Sequence, residues 1–257
     1  MYSRTTDDYE NMKLAGIKMV IEPSFWLGQE RTSYKTLEDY WEHIITFENK
    51  RASEFGINHF CAIAINPKEA NNKAFADEAM ENIQKYLERE NVIALGEIGF
   101  DRITSQEEEI FKKQLVLADE LKCPVIVHTP HINKLEGTKR TFEIIEETCV
   151  EQTRIIVDHN TEETIELSKN YDVFSGITVY PHTKLSPISA VNIIKKYGIE
   201  RTLINSSADW GKSDPLSVPK TSLEMENEGF SENEIENLLY YNPESFLKKS
   251  KNYKINN

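Results

Sequence analysis

The feature that most constrains this chain is an alternation running along its whole length, in which short apolar runs are separated by longer amphipathic stretches. The runs are residues 17–22 (IKMVIE), 58–66 (NHFCAIAIN), 92–99 (VIALGEIG), 124–129 (PVIVHT), 154–160 (RIIVDHN), 172–179 (DVFSGITV) and 201–207 (RTLINSS). They are mostly rich in Val and Ile and lack clean alternation, which suits parallel strands covered on both faces. Between them the helices are readable. Residues 36–55 place Leu37, Trp41, Ile44 and Ile45 on one face and are followed by Gly56, a natural helix stop. Ser105 with Glu108, and Ser231 with Glu234, have capping-box spacing. Lys196-Tyr197-Gly198 closes a further helix. Residues 212–219 read as a loop and 248–257 as a frayed tail. No charge block or low-complexity linker divides the chain. With 257 residues, 39% of them hydrophobic, residues 1–257 read as a single β/α domain.

Glu97, His128 and His159 each stand at the C-terminal end of an expected strand, and 31 residues separate each from the next. That is about one βαβ unit. In a parallel barrel the strand ends converge on one rim, where active sites are found. Asp209, just past the last strand, joins the same rim. One such histidine alone is more often a satisfied core residue. A carboxylate inside an apolar run is harder to explain, because it needs a cation or several donors. Together the four positions favour a metal. One carboxylate and two imidazoles suit Zn²⁺, Mn²⁺ or non-haem iron, while Asp209 adds a second carboxylate able to ligate or to take a proton from water. A dication with an open position acidifies its water towards a pKa of about 7.

The strand count falls one short. Before residue 17 there is only the stretch 6–15, which reads as a helix capped by Thr5 or Thr6 and ended by Gly16. A barrel of this class needs eight strands and seven are visible. An open seam is expected between the strands near Val20 and Leu203, and with it weak or no activity.

Charge narrows the partners. The chain carries 30 basic and 43 acidic residues, a formal net charge of −13. Such a surface repels nucleic-acid phosphates and anionic membranes, although a bound dication inverts the field locally. No apolar run approaches the roughly 18 residues of a membrane span, and the opening MYSRTTDDYE is unlike a signal peptide. Cys61, Cys123 and Cys149 are widely spaced and read as reduced thiols of a cytoplasmic protein. The sequence sets no oligomeric state.

The blocks GEIGFD (96–101), PVIVHTP (124–130), VDHN (157–160) and NSSADWG (205–211), with Asn242-Pro243 and Phe246, resemble in order and spacing the signatures of TatD-like metal-dependent hydrolases. The resemblance covers essentially the whole chain. It is closest to the EboC branch, through YSRTTDDYE (2–10), EPSFWLGQ (22–29) and NPKEAN (66–71). It implies an α/β fold of the (β/α)8 TIM-barrel type, here with the first strand absent so that seven remain. It implies that Glu97 bridges two metals, that His128 and His159 ligate one of them, and that Asp209 ligates the other and serves as general base. The implied cofactor is a divalent metal, zinc first, with manganese, magnesium or iron as alternatives. Two ions belong to the full site and one to this chain. The family's His-x-His pair on the first strand would precede SRTTDDYE. This chain begins at Met1 inside that block, so a start at an internal methionine, or a truncated chain, is expected.

His131, Tyr180 and His182 lie just past strand ends, where they either contact substrate or pack as loop residues. His43 and His59 read as structural. Glu22 is open between the rim and a helix-cap or salt-bridge role, and residues 134–140 (KLEGTKR) between an anion site and a solvated helix start. The expected chemistry is hydrolysis of a phosphoester, ester or amide bond in a small molecule by metal-activated water. The rivals are a nucleic-acid phosphodiesterase, disfavoured by the charge and by the lack of a basic and aromatic stripe, and a non-catalytic barrel that scaffolds or carries a metabolite in a biosynthetic or export pathway.

Overall fold

A computed structural model describes residues 5–209 and 211–254. Tyr2, Ser3 and Arg4 of the opening block, Trp210 of NSSADWG and the last three residues of the tail lie outside the described residues. Seven parallel strands pair strictly in chain order into one curled sheet. They are β1 (Met19–Pro23), β2 (Asn58–Ile63), β3 (Val92–Gly99), β4 (Val125–His128), β5 (Ile155–Val157), β6 (Phe174–Thr178) and β7 (Thr202–Asn205). Helical connections return the chain between them, so every strand runs the same way. β3 has the expected bounds and is buried at every position, as a central strand covered on both faces should be. Among the described residues β1 and β7 are the edges of the sheet and do not pair with each other.

Alternation along the strands sorts side chains into two layers. The inner layer takes Phe60, Ala94, Ile126, Ile156, Phe174 and Leu203, one from each of β2 to β7, with Ile21 from β1. Phe246 and Leu247, from the helix Asn242–Leu247, pack into this layer, and the Phe174 and Phe246 rings lie 5.6 Å apart edge to face. The outer layer is covered by helices. Trp41, Phe111 and Phe142 are buried there among the Val and Ile side chains of β3, β4 and β5. Burial of side chains this size contributes about 2–3 kcal/mol each.

Local chemistry explains most element bounds. Thr5, rather than Thr6, caps the first helix (Thr6–Leu14) in a capping box with Asp8. The long amphipathic stretch becomes Tyr34–Glu42, a π-helical turn His43–Glu48 and Asn49–Glu54, and then Gly56 at φ +71°. The helix Ser105–Glu120 is capped one residue earlier than its spacing suggested, by Thr104 with Glu107. Glu107 is fully buried, and its carboxylate accepts the backbone N–H groups of Asp101, Arg102 and Ile103 at 2.9–3.2 Å. It thereby fixes the loop that leaves β3. Glu108 instead pairs with Arg140 and Lys112. Ser231 and Glu234 form the expected box. The loop 212–219 is shorter than expected, because a helix begins at Ser217.

Two assignments at the first strands are now resolved. Glu22 pairs with His59 at 2.9 Å, both side chains buried, on the helix-facing side of the sheet opposite Phe60. The described part of the tail is docked rather than frayed. Asn252 Nδ2 donates to the carbonyls of Leu87, Arg89 and Val92 at 2.9–3.1 Å, and Tyr253 packs on Phe60 with ring centres 5.4 Å apart. No helix among the described residues is long and apolar enough to cross a membrane.

Replacing Asn252 leaves three carbonyls near the start of β3 without this donor. Asn252→Ala is expected to lower stability by about 1–2 kcal/mol, measured as the urea unfolding midpoint. An unchanged midpoint would show that the tail contributes nothing to the fold.

Candidate metal centre

Three strands deliver three donors to one rim. Across β3 and β4, Gly96 pairs with Ile126 and Ile98 with Val127, so the register slips at Glu97 and its carboxylate is re-aimed. His128 ends β4, and His159 follows β5 with a left-handed φ of +62°. Glycine at 99 lets β3 approach β4 closely here, since a Cβ on Gly99 would stand 2.2 Å from the His128 carbonyl. One ligand atom from each of Glu97, His128 and His159 lies within 4.8 Å of the others. His159 Nε2 is 3.4 Å from Glu97 Oε1 and 2.9 Å from His128 Nδ1. His128 Nδ1 is 3.9 Å from Glu97 Oε2.

The orientation of His159 is set from behind. Asp158 is buried and accepts from Asn205 Nδ2 at 2.9 and 3.0 Å, from the His159 backbone N–H at 2.7 Å and from the Thr178 hydroxyl at 3.1 Å. With its proton given to Asp158, the Thr178 oxygen accepts from His159 Nδ1 at 2.6 Å. That assignment puts the ring proton on Nδ1 and turns the Nε2 lone pair towards Glu97 and His128, the arrangement a ligating histidine needs. Glycine at 176 makes room for the Asp158 carboxylate, which a Cβ there would meet at 2.4 Å.

The electrostatics favour ligand forms. Burial would raise the Glu97 carboxyl, but its contacts with His128 and His159 win and hold it well below the usual carboxylate range. Burial, reinforced by the Lys184 ammonium, pushes His159 down to about 3, so its ring is neutral. One buried anionic oxygen and two imidazole nitrogens form a set that fits a dication such as zinc, with positions left open. Replacing the proton shared between the two rings would free both lone pairs.

Asp209 lines the same cavity, of about 490 Å³, but is not one of the three clustered donors. Its Oδ1 accepts from the Tyr180 hydroxyl at 2.8 Å and the Gly211 N–H at 2.7 Å, and its Oδ2 from Ser207 at 3.0 Å. Tyr180 and His131 line the cavity, with the His131 ring 5.9 Å from that of His128. His182 is exposed and outside the lining. In the 134–140 stretch, Lys134 turns inward and donates to Thr129 Oγ1 at 2.6 Å, and burial lowers it to about 7. Arg140 is held outside by Glu108, Glu143 and Glu147. Asp158, Thr178, Asn205 and Lys184 are site residues that sequence alone does not mark. Lys184 Nζ lies 3.1 and 3.3 Å from the two ring nitrogens of His159. Burial lowers its ammonium, while the carboxylates of Glu97, Asp158 and Asp209 oppose that lowering.

Thr178→Val keeps the shape of the side chain and removes the hydroxyl that orients His159. Zinc affinity is expected to fall by about 10–100-fold, measured by competition with a chromogenic chelator on folded protein. An affinity equal to wild type would show that the ring is oriented by other contacts.

A family model described as TatD related DNase matches residues 6–244. A metal-dependent hydrolase of Methanocaldococcus jannaschii is 31% identical over 245 residues, 95% of this chain and 96% of that protein. Among solved structures, a TatD-like protein from Archaeoglobus fulgidus superposes with a TM-score of 0.78 at 26% identity, covering 95% of each chain. A phosphotriesterase homology protein from Escherichia coli, solved with phosphate in its active site, shares the fold at a TM-score of 0.69 and 14% identity, covering 94% of this chain and 88% of that one. The chain belongs to the TatD-related DNase family and is a TatD-like metal-dependent hydrolase.

Proposed function

We propose that this hydrolase acts on a phosphoester, ester or amide bond of a small molecule, with Glu97, His128 and His159 holding a divalent metal, zinc first. The observation that carries the reading is the convergence of those three donors, within 4.8 Å of one another, on the wall of a cavity. A dication bound there supplies an acidified water nucleophile and polarises the scissile oxygen. The protein's own groups do the rest. Asp209, its carboxylate fixed by Tyr180, Ser207 and Gly211, keeps lone pairs for the proton released on attack. Tyr180 and His131 meet the substrate at the cavity wall. Below the rim, Ile126, Ile156, Leu203, Phe246 and Leu247 form an apolar floor that excludes water.

The cavity, about 490 Å³, is of the size and mostly apolar character of small-molecule sites. The net charge of −13 argues in the same direction. The family description keeps a nucleic-acid phosphodiesterase as the second reading. Slow turnover is expected, because only three clustered donors are found among the described residues.

The reading is tested by metal analysis together with a panel of small phosphoesters, esters and amides set beside single-stranded DNA. At least one equivalent of metal, and metal-dependent turnover of a small substrate in preference to DNA, are expected. Asp209→Asn should lower that turnover by about 100-fold or more while the metal is retained. Less than one equivalent of metal, or turnover indifferent to Asp209→Asn, would sink the proposal, and preference for DNA would favour the second reading.

A further inference from the structure

Two sequence blocks, 22–29 and 66–71, play no part in the proposed hydrolysis, yet both are built into the wall of the cavity through Pro23, Phe25 and Lys68. The loop after β1 starts at Ser24, whose hydroxyl donates to the Ala64 carbonyl at 3.0 Å and accepts from the Trp41 indole N–H at 3.1 Å. Farther on, Arg31 pairs with Glu69 at 2.5 Å, both side chains buried, and also donates to the carbonyls of Thr36 and Phe25. The short helix Pro67–Ala70 after β2 is capped by Asn66, whose side chain accepts the Lys68 N–H at 3.1 Å. Asn71 fixes its far end, donating to Glu107 at 2.7 Å and accepting from the Thr104 hydroxyl at 2.6 Å.

That frame presents Lys68 to the cavity. Its ammonium stands 4.8 Å from the Trp26 ring centre and 3.2 Å from Asp101 Oδ1. The loops do not need the Asp101 pair to stay together, because the buried Arg31–Glu69 pair and Asn71 already hold them. With the Lys68 side chain 37% exposed, such a pair contributes little to stability. An ammonium also has three donors, so Asp101 leaves capacity for a further acceptor. The other charged groups lining the cavity belong to the donor triad, touch its rings or, as Asp209, form the proposed base. Among the described residues Lys68 is the one charged lining group set apart from all of these.

We infer that Lys68 is a specificity-determining residue, binding a carboxylate that the substrate carries away from the bond to be cleaved. This inference rests on the small-molecule hydrolase reading above and names a substrate class for it. In a chain of net charge −13 the general field does not favour an anionic substrate, so selection for one has to come from a fixed local cation. The Trp26 ring steadies the ammonium and the clamped loops fix the base of its stem, so part of the ordering cost is met before binding. Asp101 competes with the incoming anion and tempers the subsite. One point charge shared with Asp101 suits a singly charged carboxylate better than a phosphate dianion, which calls for several donors.

The test uses the zinc-loaded full chain and straight-chain dicarboxylates from succinate to suberate, each paired with the monocarboxylate of equal carbon number. One end of the probe meets the metal and the other meets Lys68. Binding is measured by calorimetry. At least one dicarboxylate is expected to bind wild type about tenfold more tightly than its partner. Lys68→Gln and Lys68→Met, with zinc content and melting temperature near wild type, are expected to lose that preference. Asp101→Asn, which removes the competing carboxylate, is expected to increase it severalfold, and that gain decides the matter if the Lys68 variants melt early. No preference in wild type, a preference that survives in both Lys68 variants, or no gain in Asp101→Asn would overturn the inference and leave the hydrolase reading intact. A wild-type chain that binds no zinc would overturn both.

Discussion

The parallel backbone ladder is the constraint on which everything else here depends. Because seven strands pair in chain order and run the same way, their C-terminal ends share one rim. Residues 31 positions apart thereby become neighbours. The ladder alone does not aim the side chains. That is done by departures from it: the register slip at Glu97, the left-handed backbone of His159 and the close approach of β3 to β4 at Gly99. Buried hydrogen bonds then hold those departures in place, through Glu107 beneath the β3 loop and Asp158 behind the histidine.

The same logic divides what the sequence reveals from what it conceals. Strand positions were legible because a strand buried on both faces must be a continuous apolar run, and β3 is the clearest case. The triad was legible because a glutamate in such a run has few other uses, and because the spacing repeats. The capping box at Thr104 was off by one because Thr104–Glu107 and Ser105–Glu108 carry the same pattern. What decides between them is the tertiary need for a carboxylate under residues 101–103, which no local pattern shows. The tail misled for a related reason. Its composition is that of an exposed end, yet one amide, Asn252, meets three carbonyls that only the folded sheet presents. Lys184 has no sequence signal at all, since its place against His159 follows from a loop closure around residues 179–185.

Charge links the site to its chemistry. A protein with a net charge of −13 carries a pocket in which three carboxylates face a lysine and the neutral ring of His159. Such a pocket suits a cation, and on the proposed reading the bound cation then draws in an anionic or polar reacting group. The apolar inner layer beneath it is closed by Phe246 and Leu247.

The central claim is that Glu97, His128 and His159 form one metal centre. The most direct measurement is anomalous diffraction at the zinc edge from crystals of the chain grown with Zn²⁺. The account predicts a single strong peak bonded to a Glu97 carboxylate oxygen, His128 Nδ1 and His159 Nε2, with the Thr178 contact to His159 Nδ1 preserved. A peak bonded elsewhere, or no peak at these three side chains, would contradict it.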